Sequence, residues 1–191
     1  MKKFNKGIIL SSLGSFWWGV IGVIYFRSLS FVGPFELVIH RCLWTTVLLL
    51  ITTFFLFKWQ KFLLILKSSK KIFVLFLSSI LILINWSVWI YAVSTNQIIN
   101  ASFGYFIMPI MSIYFGNLFF KERLNFKIIL SIVLVLFSVF YMLYEFKTVP
   151  WIGLTVAISW SLYNVCRKLI EVDTDIGLLM ESLFIFPFAV L

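Results

Sequence analysis

The sequence predicts an all-α integral membrane protein, a bundle of about seven transmembrane helices. Three observations carry that prediction. Of 191 residues, 62% are hydrophobic and 12% charged, where soluble domains run nearer half and a quarter. The apolar runs are continuous and about 20 residues long, the length that crosses a bilayer as helix and twice a barrel strand. Thirteen of the 16 basic residues fall in alternate loops.

The first span, 8–26, follows Lys2, Lys3 and Lys6. That order resembles a secretory leader, but the run is longer than a leader's apolar region and contains Trp17-Trp18, so a retained helix is expected. The second span, 37–57, begins with His40 and Arg41. The third, 72–93, carries Asn85-Trp86 near its middle, where an indole N–H wants a partner. The fourth, 101–120, holds Ser102, Tyr105, Pro109, Ser112 and Gly116 at spacings of 3, 4, 3 and 4, which is one helical face. Pro109 lacks an N–H, so the Tyr105 carbonyl loses its intrahelical partner. That face suits a polar cavity or close packing through small residues, and the pattern alone serves both. The fifth span is 126–144. The sixth, 151–166, is short, but Tyr163 and Asn164 extend it toward Arg167. The seventh starts near 177, includes Glu181, and is still apolar at Leu191.

Basic residues cluster before the first span and in the second, fourth and sixth loops. The positive-inside rule then places the N-terminus in the cytoplasm. The loop 58–71 reads as a basic interfacial stretch, and no soluble domain is expected.

A weak internal repeat relates the first and sixth spans: Ser15 falls on Ser159 and Phe16 on Trp160. In the second and seventh spans Arg41 falls on Glu181. A five-helix unit is odd, so a second copy enters from the opposite face, as in inverted-repeat transporters. Residues 1–146 form the first repeat on this reading, and 147–191 part of a second.

Ionisable groups at membrane depth cost about 2.5–3.5 kcal/mol each at a helix centre. For Arg41 two readings stand, snorkelling to headgroups or a role in a site or gate. His40 reads as an interfacial polar residue or a proton relay. Direct pairing of Arg41 with Glu181 is disfavoured, because inverted copies place them toward opposite faces. Trp17, Trp18, Trp86, Trp160 and Tyr163 line an aromatic cavity or fill a bundle core. The candidate substrate cavity or gate is therefore Trp17, Trp18, His40, Arg41, Asn85, Trp86, Ser102, Tyr105, Pro109, Trp160, Tyr163 and Glu181.

The net charge of +9 is scattered in short clusters, which excludes a nucleic-acid face. Cys42 and Cys166 lie in apolar runs without metal or redox spacing. Hydrolase, nucleotide and metalloprotease motifs are absent. No catalytic residue, metal or cofactor is expected, and the chain reads as not an enzyme.

The run N-A-S-F-G-Y-F-I-M-P from Asn100, with F-F-K-E-R-L ending at Leu124, resembles the RarD branch of the EamA family, within the drug/metabolite transporter superfamily. So do G-S-F-W-W-G-V at Gly14–Val20, I-H-R at Ile39–Arg41, N-W-S-V-W-I-Y-A-V at Asn85–Val93, and V-C-R-K with M-E-S-L. The resemblance implies ten helices in two inverted repeats, a bacterial inner-membrane location, and export or exchange of small metabolites or drugs without a cofactor. It also implies an acidic residue where this chain has Asn100. Seven spans are fewer than ten, so the chain is expected to be truncated, its missing C-terminal helices absent or supplied by a homo-oligomer. The bilayer and a small-molecule substrate are the expected partners. The alternative is a non-transporting membrane protein acting as an assembly partner.

Overall fold

The structure is a computed structural model that describes residues 2–122, 124–146 and 150–190. Among the described residues every regular element is helical, without strands. Arg123, Lys147 and the predicted repeat boundary at 147 lie outside them.

The first span is one rod in three parts: α1 (Lys2–Phe16), a π-helical segment (Trp17–Gly22) and α2 (Val23–Ser28). Next come α3 (Pro34–Phe55), a short α4 (Trp59–Leu66), α5 (Ser69–Ser94), α6 (Ile98–Phe120), α7 (Phe126–Phe146), α8 (Trp151–Lys168) and α9 (Thr174–Val190). Among the described residues five stretches are long and apolar enough to cross a membrane: Gly7–Ser28, Pro34–Phe55, Ser69–Ser94, Ile98–Phe120 and Phe126–Glu145. The sixth and seventh predicted spans are α8 and α9, of 18 and 17 residues. Helix α8 does run past Tyr163 and Asn164 to take in Arg167.

Local chemistry explains the boundaries. Pro34 opens α3, where its missing N–H costs nothing, and Glu36 in the first turn complements the helix dipole. The Ser68 hydroxyl accepts the Lys71 N–H at the start of α5, and the Asn125 side chain accepts the Ile128 N–H at the start of α7. Three helices stop at a left-handed residue: Phe57, Asn96 and Lys121. After α5 the Gln97 N–H reaches the Ala92 carbonyl at 2.7 Å and the Asn96 N–H reaches Val93. Lys58 and Phe57 repeat this closure on Thr53 and Phe54 after α3. These are Schellman ends that satisfy carbonyls otherwise orphaned.

Helix α8 sits at the centre, packed on α6 and α5, while α9 packs on α3 and α5. Gly104 of α6 faces Gly153 of α8 so closely that a Cβ on Gly104 would lie 2.5 Å from the Gly153 carbonyl oxygen. Only glycine permits that approach. Ser112 and Ser161 hydroxyls meet at 3.2 Å further along the same seam. Trp86, Trp89, Ile90, Cys42 and Ile152 fill the core between α3, α5 and α8. Large apolar side chains on the outer faces of α3 and α7, such as Phe54, Phe137 and Phe140, are exposed, as lipid contact requires.

The basic stretch after the second span is the one element the sequence reading left without a helix. Here it forms α4, whose Ile65 is buried against Val74, Leu75, Ile176 and Met180. Lys58 pairs with Asp175, and Lys61 with Asp173 at 2.6 Å. The Lys61 ammonium is held above its ordinary range by the hydrogen bond to Asp173. Lys168 pairs with Glu122, which folds back over Gly116. The second, fourth and sixth loops therefore meet at one end of the bundle, and Asp173 and Asp175 face Lys61 of α4 and Lys58 just before it.

Candidate functional site

A cavity of about 790 Å³ opens among the first rod, α3, α5, α6, α8 and α9. Its most charged wall is built by Arg41. The guanidinium carbon lies 4.1 Å from the centre of the Trp86 ring and 4.6 Å from that of Trp18. Phe26 stands 5.9 Å away. Cation–π contacts of this kind contribute about 0.5–2 kcal/mol each, more as they are desolvated. Arg41 is thus held by rings rather than by a carboxylate. Its Nη1 is buried and has no hydrogen-bond partner among the described residues.

The π-helical segment sets Trp18 in place. Trp18 stacks on Trp89 at 4.8 Å and donates its indole N–H to the Tyr105 hydroxyl at 3.4 Å. Single wide turns of this kind recur at functional sites because they re-aim side chains. On the opposite wall the Asn85 amide donates to the Val156 carbonyl at 3.0 Å and the Ser159 hydroxyl at 3.1 Å. Asn85 therefore ties α5 to α8 and has its donors satisfied.

Toward the end that carries the loop lysines, Arg167 lines the cavity. Its Nη1 lies 3.5 Å from Glu181 Oε1. Glu181 is fully buried and accepts from Ser78 at 2.5 Å and from Tyr163 at 3.2 Å. Arg167 reaches this position by lying across Gly177, where a Cβ would overlap its Nη1 at 1.6 Å.

Of the residues singled out in the sequence, Trp18, Arg41, Asn85, Trp86, Tyr105, Trp160 and Tyr163 line this one cavity. Trp17 turns to the outside, 64% exposed. His40 is also outward, 3.9 Å from Glu36 one turn earlier. Ser102 and Pro109 lie on exposed parts of α6, off the lining. Glu181 stands behind the wall, paired with Arg167 rather than Arg41. Sequence reasoning passed over Ser11, Ser15, Asn164 and Arg167, all on the lining. The signal was present as spacing: Ser11, Ser15 and Trp18 share a helical face, as do Trp160, Tyr163, Asn164 and Arg167.

Residues 5–144 match the EamA-like transporter family. The chain is 34% identical over 188 residues to Protein RarD of Salmonella typhi, covering 98% of this chain and 64% of that protein. It is 34% identical to the uncharacterized transporter YojE of Bacillus subtilis, covering 97% of this chain and 63% of that protein. To Protein RarD of Escherichia coli it is 31% identical, with 98% and 63% covered. The chain thus spans under two thirds of the length of these relatives. No solved structure matches it.

Proposed function

Because the chain belongs to the EamA-like transporter family, we propose that it moves a small metabolite or drug across a bacterial inner membrane, unchanged, through the cavity between α3, α5, α6 and α8. The single observation that supports this most is Arg41, a desolvated cation on the wall of a roomy cavity inside an apolar bundle. Intramembrane charge without a structural counter-ion marks a substrate path by default. The proposed transport cycle rocks one five-helix repeat against its inverted copy around this site. On that plan α8 takes the part of the first rod and α9 that of α3, and the N-terminus is cytoplasmic. The direction of net movement we propose is outward, as export or exchange.

Membrane vesicles from cells producing this chain test the reading. Against vesicles lacking it, at least one member of a panel of labelled metabolites and drugs accumulates faster, and Arg41→Ala removes the difference at equal protein level. Equal accumulation for the whole panel overturns transport.

A further inference from the structure

We propose that the cavity selects organic monoanions, carboxylates carrying an aromatic or apolar body, over cations and zwitterions. The proposal rests on reading this cavity as the substrate site.

Charge is the first argument. The lining contains two cations, Arg41 and Arg167, and no Asp or Glu. Arg167 is balanced by Glu181 at 3.5 Å. No carboxylate lies within ion-pairing distance of Arg41 among the described residues, so the lining carries one positive charge that no protein acid balances. An uncompensated charge in a low-dielectric site is costly, and an anionic ligand offsets that cost.

Geometry is the second argument. Trp18 and Trp86 lie against the Arg41 guanidinium. A guanidinium whose faces are stacked offers its edge, and the planar fork of N–H donors there matches a carboxylate. Nη1 of Arg41 is itself buried without a hydrogen-bond partner among the described residues, which leaves the desolvation of that donor uncompensated.

The same contacts disfavour a ligand cation at this wall. Aromatic cages bind ammonium groups through ring faces, but these two rings already hold the protein's own cation. A zwitterion fares little better, since its ammonium would need a carboxylate. Glu181, which pairs with Arg167 of the lining, is engaged by Ser78, Tyr163 and Arg167.

The ligand body meets Ile82, Met108, Val156 and Trp160. A cavity of about 150 Å³ holds a benzene ring, so about 790 Å³ admits a ring acid with room for water. Size therefore selects weakly here and charge selects strongly.

Four probes that share one ring but differ in charge test this: phenylacetate, phenylacetamide, phenethylamine and phenylalanine. Each is titrated into the purified chain in nanodiscs, read by tryptophan emission, so the result does not depend on flux. Phenylacetate is expected to saturate with a Kd at least tenfold below the other three. Arg41→Gln should bring it within twofold of the amide, and Arg41→Lys should keep the order. If Arg41→Gln does not fold, the order on the unaltered chain still decides. Equal or tighter binding of the amine, the amide or the zwitterion overturns the proposal, and so does a failure of all four to bind. Tight phenylacetate binding with no vesicle flux would instead leave anion selection standing and remove the transport reading.

Discussion

Glu181 shows what one buried acid does among donors. It accepts from Ser78 and Tyr163 and sits beside Arg167. Removing one partner from a buried pair leaves the other charge alone, which costs about 3–5 kcal/mol. Glu181→Ala should therefore lower the melting temperature sharply in detergent. Glu181→Gln should lower it less, because an amide oxygen still accepts from Ser78 or Tyr163. Equal melting of the two variants would show that the hydrogen bonds from Ser78 and Tyr163 contribute nothing beyond the charge. Gly177→Ala should perturb the same cluster from a distance, by displacing Arg167. The cost of an acid inside an apolar run was legible in the sequence, so Glu181 stood out. Its partner was not, because Arg167 looked like one of many loop cations until α8 carried it past Tyr163. Ser102 and Pro109 show the converse. Their spacing with Tyr105 defines a face, but the buried stripe of α6 falls one step round, on Ala101, Gly104 and Ile107.

At the scale of elements, the α6–α8 seam and α4 invite different tests. Gly153→Ala places a methyl 2.7 Å from the Asn100 carbonyl oxygen and 2.9 Å from the Gly104 nitrogen. Backbone cannot give way as a side-chain tip can, so the loss should be about 1–3 kcal/mol. Gly14→Ala, with nothing within 4 Å, is the control and should melt no lower, since alanine is the better helix former. A neutral Gly153→Ala would mean the helices separate freely. Helix α4 is held by Ile65 and by ion pairs from Lys58 and Lys61. Such surface pairs contribute little to global stability. Lys58→Ala with Lys61→Ala should leave melting near its starting point yet speed amide exchange across 59–66. Unchanged exchange would show that the apolar contacts of Ile65 suffice alone. Helix lengths were readable from apolar runs, whereas α4 hid because it is short, basic and amphipathic.

For the whole molecule, the loop ion pairs draw the second, fourth and sixth loops to one end, as the alternation of basic residues implied. Orientation in the membrane is a separate question, which labelling answers. An impermeant thiol reagent on intact cells should modify Ser30→Cys but reach Lys70→Cys only after permeabilisation, with the unaltered chain as blank. The reverse pattern would place the N-terminus outside. Legibility ended at the cavity, because a wall assembled from six or more helices depends on crossing angles that no single stretch encodes. The wide turn at Trp17–Gly22 has a consequence of its own. A surplus residue in a helix advances its phase by about 100°. Ser11 and Ser15 line the cavity on one side of that turn and Phe26 is buried on the other, so the offset sets how the two halves are rotated against each other. Excising Gly19 would keep every side chain named in the cavity, yet turn one half of the rod against the other like a key with its bit re-cut. Length, more than composition, is what the phase of this first rod depends on.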